Sequence, residues 1–190
     1  MSERTQIRIV AGSLRGRKLT CVVHAGMRPT PQMVREALFS ILGNAVPDRV
    51  FYDVFAGTGV VGLEAISRGA SSARFIEADA KQAGLIQKYA NEFDVGDQCQ
   101  VLRADSYRWA ERWIPAAGVP VNLFLSPPFP DLSQKADEFL KLVRDLLAKA
   151  PTESVLTIQA EEGFPLEKLP DRDKWDVRHY GRNMLLFYVV

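Results

Sequence analysis

A chain of 190 residues, 47% hydrophobic and 25% charged, can bury one ordinary core but not two full domains, so one domain with a small appendage is expected. Its net charge is only +1, yet residues 1–35 hold Arg4, Arg8, Arg15, Arg17, Lys18, Arg28 and Arg35 against the single acid Glu3, net +6, leaving 17 basic and 22 acidic residues, net −5, in the rest. A basic arm ahead of a mildly acidic body points to a polyanionic partner.

No apolar run approaches the ~18 residues of a membrane span, and the opening residues Met1 to Gln6 lack the apolar stretch of a signal peptide, so cytoplasmic residence is expected. Cys21 and Cys99 form no metal-ligand spacing, and two reduced thiols and no metal are expected.

In chain order, Gln6 to Ala11 and Arg17 to Val22 alternate like paired strands around the turn Gly12 to Gly16. Pro31 to Leu42 follows as a helix with Thr30 as its cap. Residues 1–44 are thus expected to form a basic hairpin and helix that bind a polyanion, and residues 45–190 the main domain. From Arg49 onward strand and helix alternate. Strands are expected at Val50 to Phe55, Ala73 to Glu77, Cys99 to Leu102 and Val121 to Leu125, with helices at Val60 to Arg68, Ala80 to Phe93, Tyr107 to Trp113 and Ser133 to Ala150. The last strands are Ser154 to Ala160, Trp175 to Tyr180 and Leu185 to Val189, the final two forming an antiparallel edge hairpin around Gly181-Arg182-Asn183. This pattern predicts an α/β, Rossmann-like parallel sheet covered on both faces, with ligands at the carboxyl ends of the strands.

Two motifs close strands of that sheet. The first is Asp53-Val54-Phe55-Ala56-Gly57-Thr58-Gly59-Val60-Val61-Gly62, with Glu77 twenty residues after Gly57. Gly57 and Gly59 allow a tight turn and close approach of backbone to ligand. The glycines alone also fit a dinucleotide fingerprint. Asp53 discriminates: a buried strand-end carboxylate repels a pyrophosphate but suits the ammonium and sulfonium of S-adenosylmethionine (SAM). Glu77 is placed to accept two ribose hydroxyls. Asp105 lies where an adenine amine would fall, or it caps the following helix, and Asp79 is expected as the cap of its own helix.

The second motif is Ser126-Pro127-Pro128-Phe129. A nucleobase amine is a poor nucleophile because its lone pair is delocalised, so acceptors must localise that pair and aim it at a methyl group. Ser126 and the Pro127 carbonyl supply acceptors, the prolines fix their direction, and Phe129 offers a stacking face. His24 and His179 adjoin neither motif and are given no catalytic role.

The chain resembles the bacterial small-subunit ribosomal RNA guanine-N2 methyltransferases through Arg8-Ile9-Val10-Ala11-Gly12, Arg15-Gly16-Arg17-Lys18-Leu19, Arg28-Pro29-Thr30, Val34-Arg35-Glu36-Ala37-Leu38-Phe39, the glycine motif and the Pro-Pro motif. The resemblance implies a seven-stranded SAM-dependent methyltransferase sheet with a small N-terminal β-hairpin and helix. It implies a guanine of 16S ribosomal RNA, in a partly assembled small subunit, as substrate. That family usually carries Asp where this chain has Ser126, a weaker acceptor, which argues for slower transfer. The expected site comprises Ser126, Pro127 and Phe129 for the base. SAM is assigned to Asp53, Phe55, Gly57, Thr58, Gly59, Glu77, Ala78, Asp105 and Ser106, with Thr30 and Arg35 contributed from the arm. RNA is assigned to Arg8, Arg15, Arg17, Lys18 and Arg28, and the protein is expected to be a monomer. Three rivals are an assembly factor that binds SAM without efficient catalysis, a nicotinamide oxidoreductase, and an amino-methyltransferase acting on cytosine N4 or adenine N6 of DNA or RNA.

Overall fold

The computed structural model describes residues 3–23 and 29–190, so Arg28 and His24 lie outside the described residues. A hairpin of β1 (Glu3–Arg8) and β2 (Lys18–Val23) leads to helix α1 (Gln32–Leu42). Strand and helix then alternate: β3 (Val50–Asp53), α2 (Val60–Ser67), β4 (Ser72–Glu77), α3 (Ala80–Glu92), β5 (Cys99–Arg103), α4 (Ser106–Arg112) and β6 (Val121–Leu125). Helices α5 (Phe129–Gln134) and α6 (Ala136–Lys149) precede β7 (Val155–Glu161), β8 (Asp176–Tyr180) and β9 (Asn183–Val189).

The main sheet runs β5-β4-β3-β6-β7-β9-β8. Its first five strands are parallel, and β9 enters antiparallel between β7 and β8, giving the expected edge hairpin. All five residues of β6 are buried, as an apolar run in a sheet covered on both faces requires. The twofold alternation sorts its side chains: Phe124 joins Phe51, Phe75, Val34, Leu38 and Phe39 on one side, whereas Leu123 and Leu125 face Trp113, Phe139, Leu142 and Leu146 on the other.

Residues of the hairpin share the first of these cores, with Ile7, Ile9, Leu14 and Leu19 all buried in it. Polar contacts fix its tip against the carboxyl end of α2. Ser13 N–H donates to the Ser67 carbonyl at 2.7 Å, and Leu14 N–H to Ser67 Oγ at 2.9 Å. Gly12, at φ +81°, permits this approach, since a Cβ there would lie 1.7 Å from the Ser67 carbonyl oxygen. Tyr89 of α3 bonds both the N–H and the carbonyl of Thr20, at 2.8 and 3.0 Å.

Three local expectations change. The first strand runs Glu3–Arg8 rather than Gln6 to Ala11. Thr30 does not cap α1: Pro31 occupies the cap position and makes no side-chain cap bond, while the Thr30 hydroxyl donates to Gln159 Oε1 at 2.7 Å. The single helix expected over Ser133 to Ala150 is two, α5 and α6, joined at Lys135 (φ −125°, ψ 34°). Pro130 in the first turn of α5 has the fixed φ a helix start needs, so the helix begins directly after the Pro-Pro turn.

Candidate active site

The strand order reverses at β3, which pairs with β4 on one side and β6 on the other. At such a switch point the connecting loops diverge and leave a crevice at the carboxyl ends of the strands. Here the crevice is a cavity of about 520 Å³, lined among others by Asp53, Glu77, Asp105, Ser126 and Phe129. Its size suits a nucleoside-sized ligand.

Asp53 ends β3 and is 1% exposed. Its Oδ2 accepts the Gly62 N–H in the first turn of α2 at 3.0 Å. Burial, opposed by that bond and aided by Glu77, pushes its carboxyl up to about 8. Near neutral pH this acid is mostly protonated, and a cation meeting it on the cavity wall would displace its proton. Glu77 ends β4, and its two oxygens accept the N–H groups of Gly57 and Asp79, each at 2.7 Å. The backbone thus aims the carboxylate, which can accept about four bonds in all. Burial raises its pKa, and the bonds from Asp79 and Gly57 oppose the rise.

Gly57 turns the loop at φ +51°, and Phe55, Thr58 and Ala78 lie along the wall. Phe55 packs edge-on to Tyr107 with centroids 5.6 Å apart. Asp105 caps α4, its Oδ1 accepting the Arg108 N–H at 3.0 Å, and it also lines the cavity. Ser106 lines it too and donates its hydroxyl to the Val54 carbonyl. Asp79 caps α3, accepting from Lys81 and Gln82.

Two residues expected at the cofactor lie outside this lining. Gly59 caps α2 at φ +73°, and a Cβ there would sit 2.7 Å from Ile86, so its bareness serves packing against α3. Arg35 is 2% exposed and fully engaged inside the fold: Nε meets Glu64 at 2.9 Å, NH1 donates to the Thr30 carbonyl at 2.6 Å and NH2 to the Arg8 carbonyl at 2.9 Å. It holds Thr30, which does line the cavity, rather than lining it.

From β6 the cavity continues into Ser126, Pro127, Pro128 and Phe129. Sequence reasoning missed four neighbours. Tyr107 donates its hydroxyl to Asp131 at 2.9 Å, and Lys135 pairs with the same carboxylate at 3.4 Å while lying 5.2 Å over the Tyr107 ring. No spacing announces that cluster, which joins α4 to α5. The fourth is Gln159 on β7, 2% exposed, whose Oε1 accepts hydroxyls from Thr30 and from Ser126, the latter at 3.3 Å. A polar residue inside the apolar run Val155 to Ala160 was the available signal. Among the described residues, no group of three or more His, Cys, Asp or Glu side chains is arranged to hold a metal ion, and no helix is long and apolar enough to cross a membrane.

Strand order, terminal edge hairpin and a cavity walled by strand-end carboxylates define the class: the sheet is of the SAM-dependent methyltransferase type. Within it, the chain belongs to the family described as Conserved hypothetical protein 95, which matches residues 7–189. It is 38% identical over 125 residues to Ribosomal RNA small subunit methyltransferase D of Escherichia coli K12, a stretch covering 65% of this chain and 61% of that relative. It is 32% identical over 148 residues to the putative rRNA methyltransferase YlbH of Bacillus subtilis, covering 73% and 78%. The solved structure of the putative methyltransferase yhhF from Escherichia coli matches 97% of this chain and 98% of that one, with TM-score 0.76 and 27% identity. An RNA methyltransferase from Salinibacter ruber in complex with S-adenosyl-L-homocysteine shares the fold, with TM-score 0.60 and 19% identity over 86% of this chain and 94% of that one.

Proposed function

We propose that this protein transfers a methyl group from SAM to an exocyclic base amine of ribosomal RNA, the N2 amine of a guanine in the small subunit being the target. One observation carries the reading: the strand-end acids Asp53 and Glu77 and the acceptor motif Ser126-Pro127-Phe129 line one cavity. Relatives named as ribosomal RNA methyltransferases support it. Asp53 suits the cationic end of the cofactor and Glu77 its ribose hydroxyls, while Asp105, Ser106, Phe55, Gly57, Thr58 and Ala78 complete the wall. Bound SAM supplies an electrophilic methyl group on a positively charged sulfur. Ser126 and the Pro127 carbonyl hold the amine, and Phe129 stacks its ring. The amine nitrogen gains its bond to carbon as the carbon–sulfur bond breaks, and its surplus proton passes to water, so positioning rather than a strong base drives the step.

The test is incubation of the protein with SAM and small-subunit particles from cells lacking it, followed by mass mapping of methylated nucleotides. A single new N2-methylguanine is expected. Methyl on a ribose or a ring carbon would defeat the reading. Phe129→Ala is expected to lower turnover with RNA by about 1 to 3 kcal/mol of stacking, with SAM affinity unchanged.

Residues 1–44 are assigned to gripping RNA, with residues 45–190 carrying the chemistry. Arg8, Arg15, Arg17 and Lys18 are exposed, and the Arg17 guanidinium lies 5.6 Å over the Phe93 ring. The hairpin tip sits at the carboxyl end of α2, whose amino end faces the cavity; eight helical residues span about 12 Å. RNA gripped at the tip would therefore be held about one α2 length from the cavity that takes the reacting base. Phosphate contacts position the particle without reading its sequence. Replacing Arg15, Arg17 and Lys18 with alanine is expected to flatten the salt dependence of RNA binding by roughly 0.7 to 0.9 log units for each phosphate that is no longer neutralised, with SAM affinity unchanged. An unchanged salt slope would mean the tip only faces solvent. The protein is proposed to act as a monomer in the cytoplasm on a partly assembled small subunit.

A further inference from the structure

We infer that Gln159 is a positioning residue that makes the Ser126 hydroxyl an acceptor for the base amine, and so directs the cavity toward amine-bearing bases. This rests on the amine-directed reading above and adds to it a residue that contacts neither substrate nor cofactor. A serine hydroxyl carries one donor and two lone pairs, and its role depends on where its proton points. Left free, the Ser126 O–H could turn into the cavity and donate to a carbonyl or ring nitrogen, favouring a uracil-like edge over an amine.

The heavy-atom geometry assigns that proton to Gln159. Ser126 Oγ donates to Gln159 Oε1 at 3.3 Å, and Thr30 Oγ1 donates to the same oxygen at 2.7 Å. Gln159 Nε2 in turn donates to Asn183 Oδ1 at 3.0 Å. With its amide nitrogen committed to Asn183, Gln159 presents only its carbonyl to Ser126, and the Ser126 lone pairs are left toward the cavity it lines. Gln159 is 2% exposed, so its end of these bonds is shielded from water. The chain of donors runs one way, from amine to Ser126 to Gln159, and each bond polarises the next. A neutral serine thereby recovers part of the acceptor strength that a carboxylate would have at the same place.

Gln159→Met keeps the shape of the side chain and removes the acceptor. Its kcat with small-subunit particles is expected to fall about tenfold while SAM affinity by calorimetry stays at the parent value. Gln159→Glu should retain parent kcat, because a protonated glutamate reproduces both bonds and an ionised one still accepts from both hydroxyls. In a Ser126→Ala background, Gln159→Met should cost nothing further. Equal losses in both backgrounds, failure of Gln159→Glu to retain activity, or loss of SAM binding in Gln159→Met would make Gln159 a structural strut and overturn the inference. Mass mapping of the parent's product tests the amine reading separately: a methyl group on a ribose would sink that reading, whereas the Gln159 comparison can fail with N2-methylguanine as the product.

Discussion

Raising the pH from 6 to 8 is expected to tighten SAM binding by roughly ten- to fifty-fold, with proton release to buffer at the lower pH. The cause is the Asp53 carboxyl, which burial lifts to about 8 in the ligand-free protein. A cation beside it favours the carboxylate, so below pH 8 binding must expel a proton, and each pH unit costs close to a factor of ten. The α-amino group of SAM, itself ionising near pH 8, trims the gain at the upper end. The sign for stability is opposite. A carboxyl whose folded pKa is raised contributes stability below its unfolded value, near 4, and loses that contribution as pH rises through about 8. Ligand-free protein should therefore become less stable from pH 6 to 8 while SAM protects it more, the difference reaching about 2 kcal/mol at saturating ligand. Asp53→Asn keeps an oxygen for the Gly62 N–H and removes the titration. It should bind SAM weakly, without the gain between pH 6 and 8. A parent dissociation constant that does not move between pH 6 and 8 would show that Asp53 meets no cation.

Asp53 also shows what the sequence could convey. Strand-end acids and a glycine turn follow from one-dimensional order, because in a parallel sheet each strand delivers its last residue to the same edge. Thus Asp53, Glu77, Asp105 and Ser126, which end or closely follow β3, β4, β5 and β6, were legible as neighbours. Side chains that converge by packing were not. Gln159 approaches Ser126 because β6 pairs with β7 in parallel, a register no motif encodes. Tyr107, Asp131 and Lys135 meet because α5 begins at the Pro-Pro turn instead of four residues later. Arg35 misled for a related reason. Assigned to the cofactor together with Thr30, it instead has its guanidinium turned into the protein by α1, against Glu64, 29 residues away in sequence.

That buried pair carries the largest expected loss of stability. Glu64 is fully buried at the centre of a triad, with Arg35 at 2.9 Å and Arg68 at 3.0 Å. Two charges taken from water offset their desolvation only while both are present, so deleting one leaves the other buried and unpaired. Glu64→Leu is expected to lower the unfolding free energy by about 3 to 5 kcal/mol, read from denaturant midpoints at unchanged slope. Arg68 suffers less, because its side chain is 21% exposed and its guanidinium also lies 4.8 Å over the Phe39 ring. Adding Arg35→Met to Glu64→Leu should recover part of the loss by removing the stranded cation. Recovery will be incomplete, since the carbonyls of Thr30 and Arg8 then lose their donor, at about 1 to 3 kcal/mol for a buried unsatisfied group. A double variant weaker than the single would mean that Arg35 acts chiefly through those carbonyls. In either outcome the guanidinium ties β1 to the lip of the cavity. The residue it fixes there is Thr30, whose hydroxyl shares the Gln159 oxygen with Ser126, so loosening Arg35 should be felt at the acceptor motif as well as in the core.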